Sequence, residues 1–306
     1  MSALIKQVAL ISESRRIGQA DLLKVSAALQ KQAIRDLGPI WQISATVDAF
    51  EKLEDVPPGY WPIIIMDDIG FDGAAGIHLD RNGQPFSLVT ASDDRDVWSL
   101  TCSHELLEML VDPFGNRVVP GDSPDDTQGR VDFLVEVSDP SEAAEFGYTC
   151  NGILVSDFYT PQFFDPIEAD GVRYSFTGAI KTPRDVLRGG YLSWFEPESG
   201  HWFQETWFSG AQSKFVDLGR LDASKGSIRS QIDKLTMPET AKALATGRKT
   251  ALVAGLPAQR VGDASSALAT AWREQISALV GRPAAMEDKR NKGQPGRRKP
   301  KRLPGD

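Results

Sequence analysis

The sequence predicts an α+β fold: a mixed twisted sheet with an antiparallel edge hairpin and one buried helix in its first third, then an irregular second part, then a basic tail. Three observations carry that expectation. Apolar runs of strand length flank an amphipathic helical stretch over residues 7–66. Asn82-Gly83 separates two strand-like runs, the strongest short-range hairpin signal in a sequence. The helix that follows, about residues 96–111, is apolar on nearly every side and therefore belongs in the interior.

Taken in order, "QVALISES" (7–14) reads as a first strand ending in polar turn residues. Leu22, Val25, Leu29 and Ala33 recur at three- and four-residue spacing, which predicts an amphipathic helix stopping at Gly38. A second strand is expected over about Trp41 to Ala49. Pro57, Pro58 and Gly59 then turn the chain into a buried strand, Ile63 to Met66. The hairpin "GAAGIHLD"–"RNGQ"–"PFSLVTA" follows. Asp93 or Asp94 supplies an N-cap for the next helix, which stops at Asp112-Pro113. Beyond it, "GNRVVPGDSPDDTQG" reads as a polar loop, "VDFLVEVSDP" as a strand ending in a turn, and residues 151–215 as irregular and aromatic-rich. One or two helices are expected at 228–247 and 264–280.

The chain of 306 residues is 41% hydrophobic, ordinary for a globular protein. A formal charge of -8 makes the body a poor partner for nucleic acid, because phosphate neutralisation needs concentrated Lys and Arg. Only the end reverses the balance: from Glu287 to Asp306 there are eight Lys or Arg against three acids, a local +5. With its Pro and Gly, that stretch predicts a disordered tail, solubilising first and a partner-docking element second. Cys102 and Cys150 are the only cysteines, too few for a disulfide framework or a Cys-based zinc ribbon. A cytoplasmic, bacterial-type location fits that usage. The amino terminus reads as a strand and not a signal peptide, and no window approaches the roughly 18 apolar residues of a membrane span.

The chemistry concentrates in "CSHELLEMLVDP", residues 102–113. Apolar surroundings are a costly place for unpaired charge. On a helix, residues i and i+4 share a face, so His104 and Glu108 can point at one atom, the spacing of two metal ligands. Glu105 flanks the same atom and can act as general base toward water there. Phosphate-loop, dinucleotide and nucleophile-elbow motifs are absent, and Cys102 and His104, two apart on a helix, face different directions.

The HExxE run resembles the active-site helix of the zincin metallopeptidases, whose signature is HExxH. The element order over residues 7–111 is similar to a zincin amino-terminal subdomain: strand, helix, strand, strand, an antiparallel edge strand that holds the substrate backbone, then the active-site helix. The resemblance implies a zincin-like subdomain at 1–115 and a part at 116–220 that completes the site. It leaves a helical segment at 221–285 and the basic tail at 286–306. It also implies zinc, held by His104, Glu108 and a downstream acid, with a peptide or protein as substrate. The departure from the family is Glu108, which stands where the second histidine would be. Phe114 stands where an extended zincin motif would need a ligand, which excludes that branch.

Glu136, Asp139 and Asp112 are the third-ligand candidates, in that order of preference; the two aspartates also read as turn residues before Pro. One imidazole and two carboxylates suit zinc, and manganese or iron would fit the same set. The extra negative charge makes the cation a weaker Lewis acid. Tyr191 reads first as an ordinary packed tyrosine, and second as a hydroxyl resembling the oxyanion-stabilising group of zincins. His78 and His201 read as core or surface histidines before they read as ligands. Two functions follow: a metal-dependent hydrolase, most simply a peptidase, and a non-catalytic protein in which the same residues form a buried or metal-stapled network.

Overall fold

Val8, Ala9, Leu10 and Ile11 are all fully buried, which commits β1 (Lys6–Ser12) to the middle of a sheet with both faces covered. It runs parallel to β2 (Ala45–Phe50) on one side and to β3 (Trp61–Met66) on the other. β5 (Gln84–Thr90) continues the parallel set beside β3, and β4 (Gly76–Arg81) closes the edge antiparallel to β5. The order is β2-β1-β3-β5-β4. The β4–β5 turn has Asn82 at φ 53° and Gly83 at φ 76°, the backbone of a type I′ hairpin. The computed structural model describes residues 5–71, 73–244, 270, 273, 274, 276 and 277.

Helix α1 (Gln19–Lys31) buries Leu22, Val25 and Leu29 against this sheet. It does not stop at Gly38 as expected. Gly38 keeps right-handed helical angles, so the helix passes through a wider turn, Gln32–Leu37, into α2 (Gly38–Trp41). Gln42, left-handed at φ 56°, is the true stop, and the second strand begins at Ala45 instead of Trp41. Helix α3 (Arg95–Val111) lies on β4 and β5 and is covered by α1 and by the hairpin β8 (Tyr148–Cys150)–β9 (Ile153–Val155). Gln32 ties these layers: its side chain accepts from Ser103 Oγ at 2.8 Å and donates to the Ser156 carbonyl at 3.0 Å.

The second part is not irregular, which corrects two sequence expectations. β6 (Val118–Asp122), β7 (Arg130–Leu134), β10 (Tyr191–Glu196), β11 (His201–Thr206) and β12 (Lys214–Gly219) form an antiparallel sheet in the order β12-β11-β10-β7-β6. β6 falls inside the stretch read as a polar loop. It contains Pro120, which an edge strand tolerates because its missing N–H faces away from the ladder. Within residues 151–215, about 156–190 and the shorter stretch 207–213 are largely without strands.

The largest hydrophobic cluster runs through both parts, from Val8 and Leu106 to Phe133, Tyr159 and Trp194, so the core does not divide at residue 115. The opposite face of the first sheet has a smaller cluster, Ile11, Ile64, Ile77, Leu79, Phe86 and Leu88 among others, which includes Ile276. Helix α4 (Ile228–Leu244) packs Ile228 and Ile232 against Leu134 and Trp202. Of the helix expected at 264–280, five residues are described, all helical; the tail at 286–306 lies outside the described residues. No helix among the described residues is long and apolar enough to cross a membrane.

Candidate metal centre

Helix α3 starts at Asp94, whose side chain accepts the Asp96 N–H at 3.0 Å, and ends at Asp112, whose carboxylate accepts the Arg117 N–H at 2.7 Å. That turn engages Asp112 away from His104. One helical turn separates His104 from Glu108, and His104 Nε2 lies 3.3 Å from Glu108 Oε1. The chain leaving β7 returns over the helix and brings Asp139 Oδ1 to 3.2 Å from the same nitrogen. The Ser138 N–H fixes Glu108 Oε1 from the other side at 3.3 Å.

These spacings decide what the group fits. Ligands about 2.0–2.1 Å from a tetrahedral cation stand roughly 3.3 Å apart, the edge of the tetrahedron. His104 Nε2 has that separation from both Glu108 and Asp139, and the three ligand atoms all lie within 4.8 Å of one another. Both oxygens of Asp139 and of Glu136 are buried and make no hydrogen bond of good geometry, with His78, His104 and Arg229 as their only basic neighbours among the described contacts. Buried polar atoms rarely stay so. An imidazole nitrogen with carboxylate oxygens is a donor set for zinc, manganese or iron, so the residues fit the cation that the HExxE run implies.

Glu136 stands differently. Its carboxylate contacts the Arg229 guanidinium of α4, and its Oε2 lies 4.0 Å from His78 Nε2. Arg229 Nη1 also reaches Glu108 Oε2 at 3.0 Å and Asp139 Oδ2 at 3.5 Å, while Asp233, one turn on, accepts from Nε at 3.1 Å. His78, only 2% exposed, places Nδ1 3.5 Å from Glu108 Oε2 and 3.7 Å from Glu105 Oε2. His201 pairs instead with Asp217 on the second sheet, at 3.0 Å, and does not line the pocket described next.

A cavity of about 550 Å³ opens onto this centre, lined among others by Gly76, Leu100, His104, Glu105, Tyr191 and Arg229. The Glu105 side chain presses against the backbone of β4: a Cβ at Gly76 would stand 2.6 Å from Glu105 Oε1. Glu105 Oε2 is buried with no hydrogen-bond partner. The Tyr191 hydroxyl accepts from Arg229 Nη2 at 3.4 Å, which leaves its own proton free to donate. Burial, with Asp139 adding, pushes the Tyr191 hydroxyl well above its ordinary range, so it stays protonated.

The charges disturb one another strongly. Burial works against ionised Glu108, but the charges of His104 and Arg229 outweigh it and hold the carboxyl well below its usual value. Burial likewise opposes the His104 cation, and Glu108 and Asp139 raise it well above the ordinary imidazole range. Asp139 goes up, through burial first and then the Glu108 charge. Glu142, in the pocket wall, is pushed up to about 8 by burial, with Glu108 and Glu105 adding. So dense a set of carboxylates calls for a cation, and perturbed groups gathered in one cleft are the physical mark of a functional site.

Sequence reasoning gave His78 little weight and missed Arg229, Asp233 and Glu142. A signal for His78 existed: Ile77 and Leu79 fill the far cluster, so strand alternation turns His78 to the helix side. Arg229 gave none, lying 121 positions from Glu108 in a segment of plain composition. No family model, curated protein or solved structure matches this chain.

Proposed function

We propose that the protein is a zincin-like metal-dependent hydrolase, most simply a cytoplasmic peptidase acting on a peptide or protein substrate. The observation that carries this reading is the convergence of Glu108 and Asp139 on His104 at tetrahedral-edge distances, beside a Glu105 whose Oε2 makes no hydrogen bond, at a cavity bordered by the edge strand β4. The sheet order, with β4 antiparallel at the edge next to α3, supports the same reading. His104, Glu108 and Asp139 would hold the cation, with Glu136 beside them. When bound, zinc, manganese or iron supplies Lewis acidity that polarises a carbonyl and acidifies water.

The chain's own residues divide the rest of the work. Glu105 Oε2 accepts a proton from the attacking water and returns it to the leaving nitrogen as the carbon–nitrogen bond breaks. Tyr191, kept protonated and oriented by Arg229, donates to the oxygen on which negative charge develops. The edge of β4 offers unpaired backbone groups to an extended substrate.

The test begins with metal content by mass spectrometry on tag-free protein, wild type beside His104→Ala. About one ion per chain, lost in the variant, is expected, followed by peptidase activity that Glu105→Gln lowers by about 10²–10⁴ with metal retained. No ion in either protein would sink the reading. A second reading, a metal-stapled protein without turnover, is favoured by the fixing of Arg229 against Glu108 and Glu136. It predicts that Glu105→Gln lowers stability and that no peptide is cut.

A further inference from the structure

We propose that this centre is built for two positive charges and that the guanidinium of Arg229 is the second, standing where a second metal ion would otherwise bind. The inference rests on the metal reading above. Two sets of ligand atoms converge here, His104 with Glu108 and Asp139, and His78 with Glu105 and Glu108, each set within 4.8 Å of itself. Glu108 belongs to both, and its two oxygens part between them: Oε1 faces His104 at 3.3 Å and Oε2 faces His78 at 3.5 Å. A carboxylate shared in this way is how proteins hold a pair of ions about 3.5–4 Å apart.

The second set is as incomplete as the first. Neither ring nitrogen of the buried His78 makes a hydrogen bond of good geometry, although carboxylates face both, and Glu105 Oε2 and Glu136 Oε1 make none either. Of the three carboxylate oxygens around His78, those of Glu105, Glu108 and Glu136, two, Glu108 Oε2 and Glu136 Oε2, are also the ones that Arg229 Nη1 touches most closely. A guanidinium thus occupies the metal-like half of the cluster.

Charge balance gives the reason. Glu105, Glu108, Glu136, Asp139 and Asp233 bring five carboxyl groups together in an interior where an unbalanced charge is expensive. One divalent ion would offset two of the charges and Arg229 a third without recruiting a second ion, which leaves the remainder to protons that the cluster retains. The guanidinium is itself fixed from behind. Asp233 accepts from its Nε with both oxygens at 3.1 Å, and the helix start is tied down by Arg229 N–H to the Gly115 carbonyl at 3.0 Å and Ile228 N–H to Asn116 Oδ1 at 2.9 Å. Arg229 is therefore a positioning residue that sets the number of metal ions the site takes.

The test is a Mn2+ titration of the full chain, read by metal analysis and electron paramagnetic resonance. Wild type is expected to saturate at one ion per chain with the resolved hyperfine pattern of an isolated Mn2+. Arg229→Gln should take two, with the pattern collapsing into that of a coupled pair, and Arg229→Gln with His78→Ala should return to one. Arg229→Lys, which keeps the charge, should stay at one.

Two coupled ions in wild type, or one ion in Arg229→Gln, would overturn the inference while leaving the metal reading intact. No Mn2+, zinc or iron bound by wild type would end both. Should Arg229→Gln fail to fold without metal, Mn2+ must restore a cooperative melt with two ions bound. A variant that stays unfolded at saturating Mn2+ also overturns the inference.

Discussion

Asp139 reaches His104 because its backbone is pinned from outside. A Cβ at Gly190 would stand 2.6 Å from the carbonyl oxygens of both Asp139 and Pro140, a clash with backbone that no side-chain rotation relieves. Gly190→Ala should therefore push the Asp139–Pro140 turn off the helix, costing about 1–3 kcal/mol of stability and weakening metal binding. Thermal melting and metal titration read the two effects. A variant that melts lower yet binds metal as tightly as wild type would remove Asp139 from the ligand set. The residues legible in the sequence were those related by helix geometry: His104, Glu105 and Glu108 are fixed relative to one another by the helical repeat alone. Asp139 and Glu136 were visible as types of residue but not as positions. Which of the two faces His104 depends on a turn held by Gly190, 51 residues away.

At the scale of the element, α3 shows why a helix can be apolar all round and still carry charge. Leu106, Leu107, Met109 and Leu110 are buried together with Glu105 and Glu108, so the helix meets core on every side and the centre on one. Leu107→Ala should cost about 2–5 kcal/mol in chemical denaturation, and a loss near zero would mean that this face is not packed. The first sheet was readable because its strands are apolar runs punctuated by Pro, Gly and Asn-Gly. The second was not, because β10 and β11 mix aromatic and polar side chains on both faces and β6 contains Pro and Gly. A contact on the far face of the first sheet should respond to pH. Arg273 Nη1 lies 2.5 Å from Glu54 Oε1, and this bond, against the cost of burial, holds the Glu54 carboxyl below its ordinary value of 4.5. A carboxylate with a depressed value contributes stability above its unfolded value and loses it as pH falls through the folded one. Acidification from about pH 6 to about pH 3 should thus loosen the segment carrying Arg273 and Ile276. Amide exchange there, corrected for intrinsic rate, should rise, and Glu54→Gln should reduce the pH dependence, leaving the part carried by Glu13, which also reaches Arg273 at 3.4 Å. Protection unchanged at low pH would show that burial of Ile276 alone holds the segment.

Across the whole molecule, the acidic cluster collects one or more side chains from β4, α3, the turn after β7, and α4, so every layer that borders the cavity contributes to one electrostatic unit. Folding brings five carboxyl groups together in a buried space, and their repulsion is offset by Arg229, by the protons the cluster retains and, on the proposed reading, by a metal. An unfolded chain holds no such site. Any ion that binds the folded state alone stabilises it by mass action, about 2.7 kcal/mol when its concentration is 100 times the dissociation constant. For a folded body of this size that is a shift in Tm on the order of 5–10 °C. Removal of metal by a chelator should lower Tm by that amount, and zinc or Mn2+ should restore it in proportion to the logarithm of concentration. His104→Ala should melt at the same temperature with and without chelator, because its site no longer gains from the ion. If wild type also melts identically in both conditions, the centre balances its charges by Arg229 and retained protons alone, and the stability of the fold owes nothing to a metal.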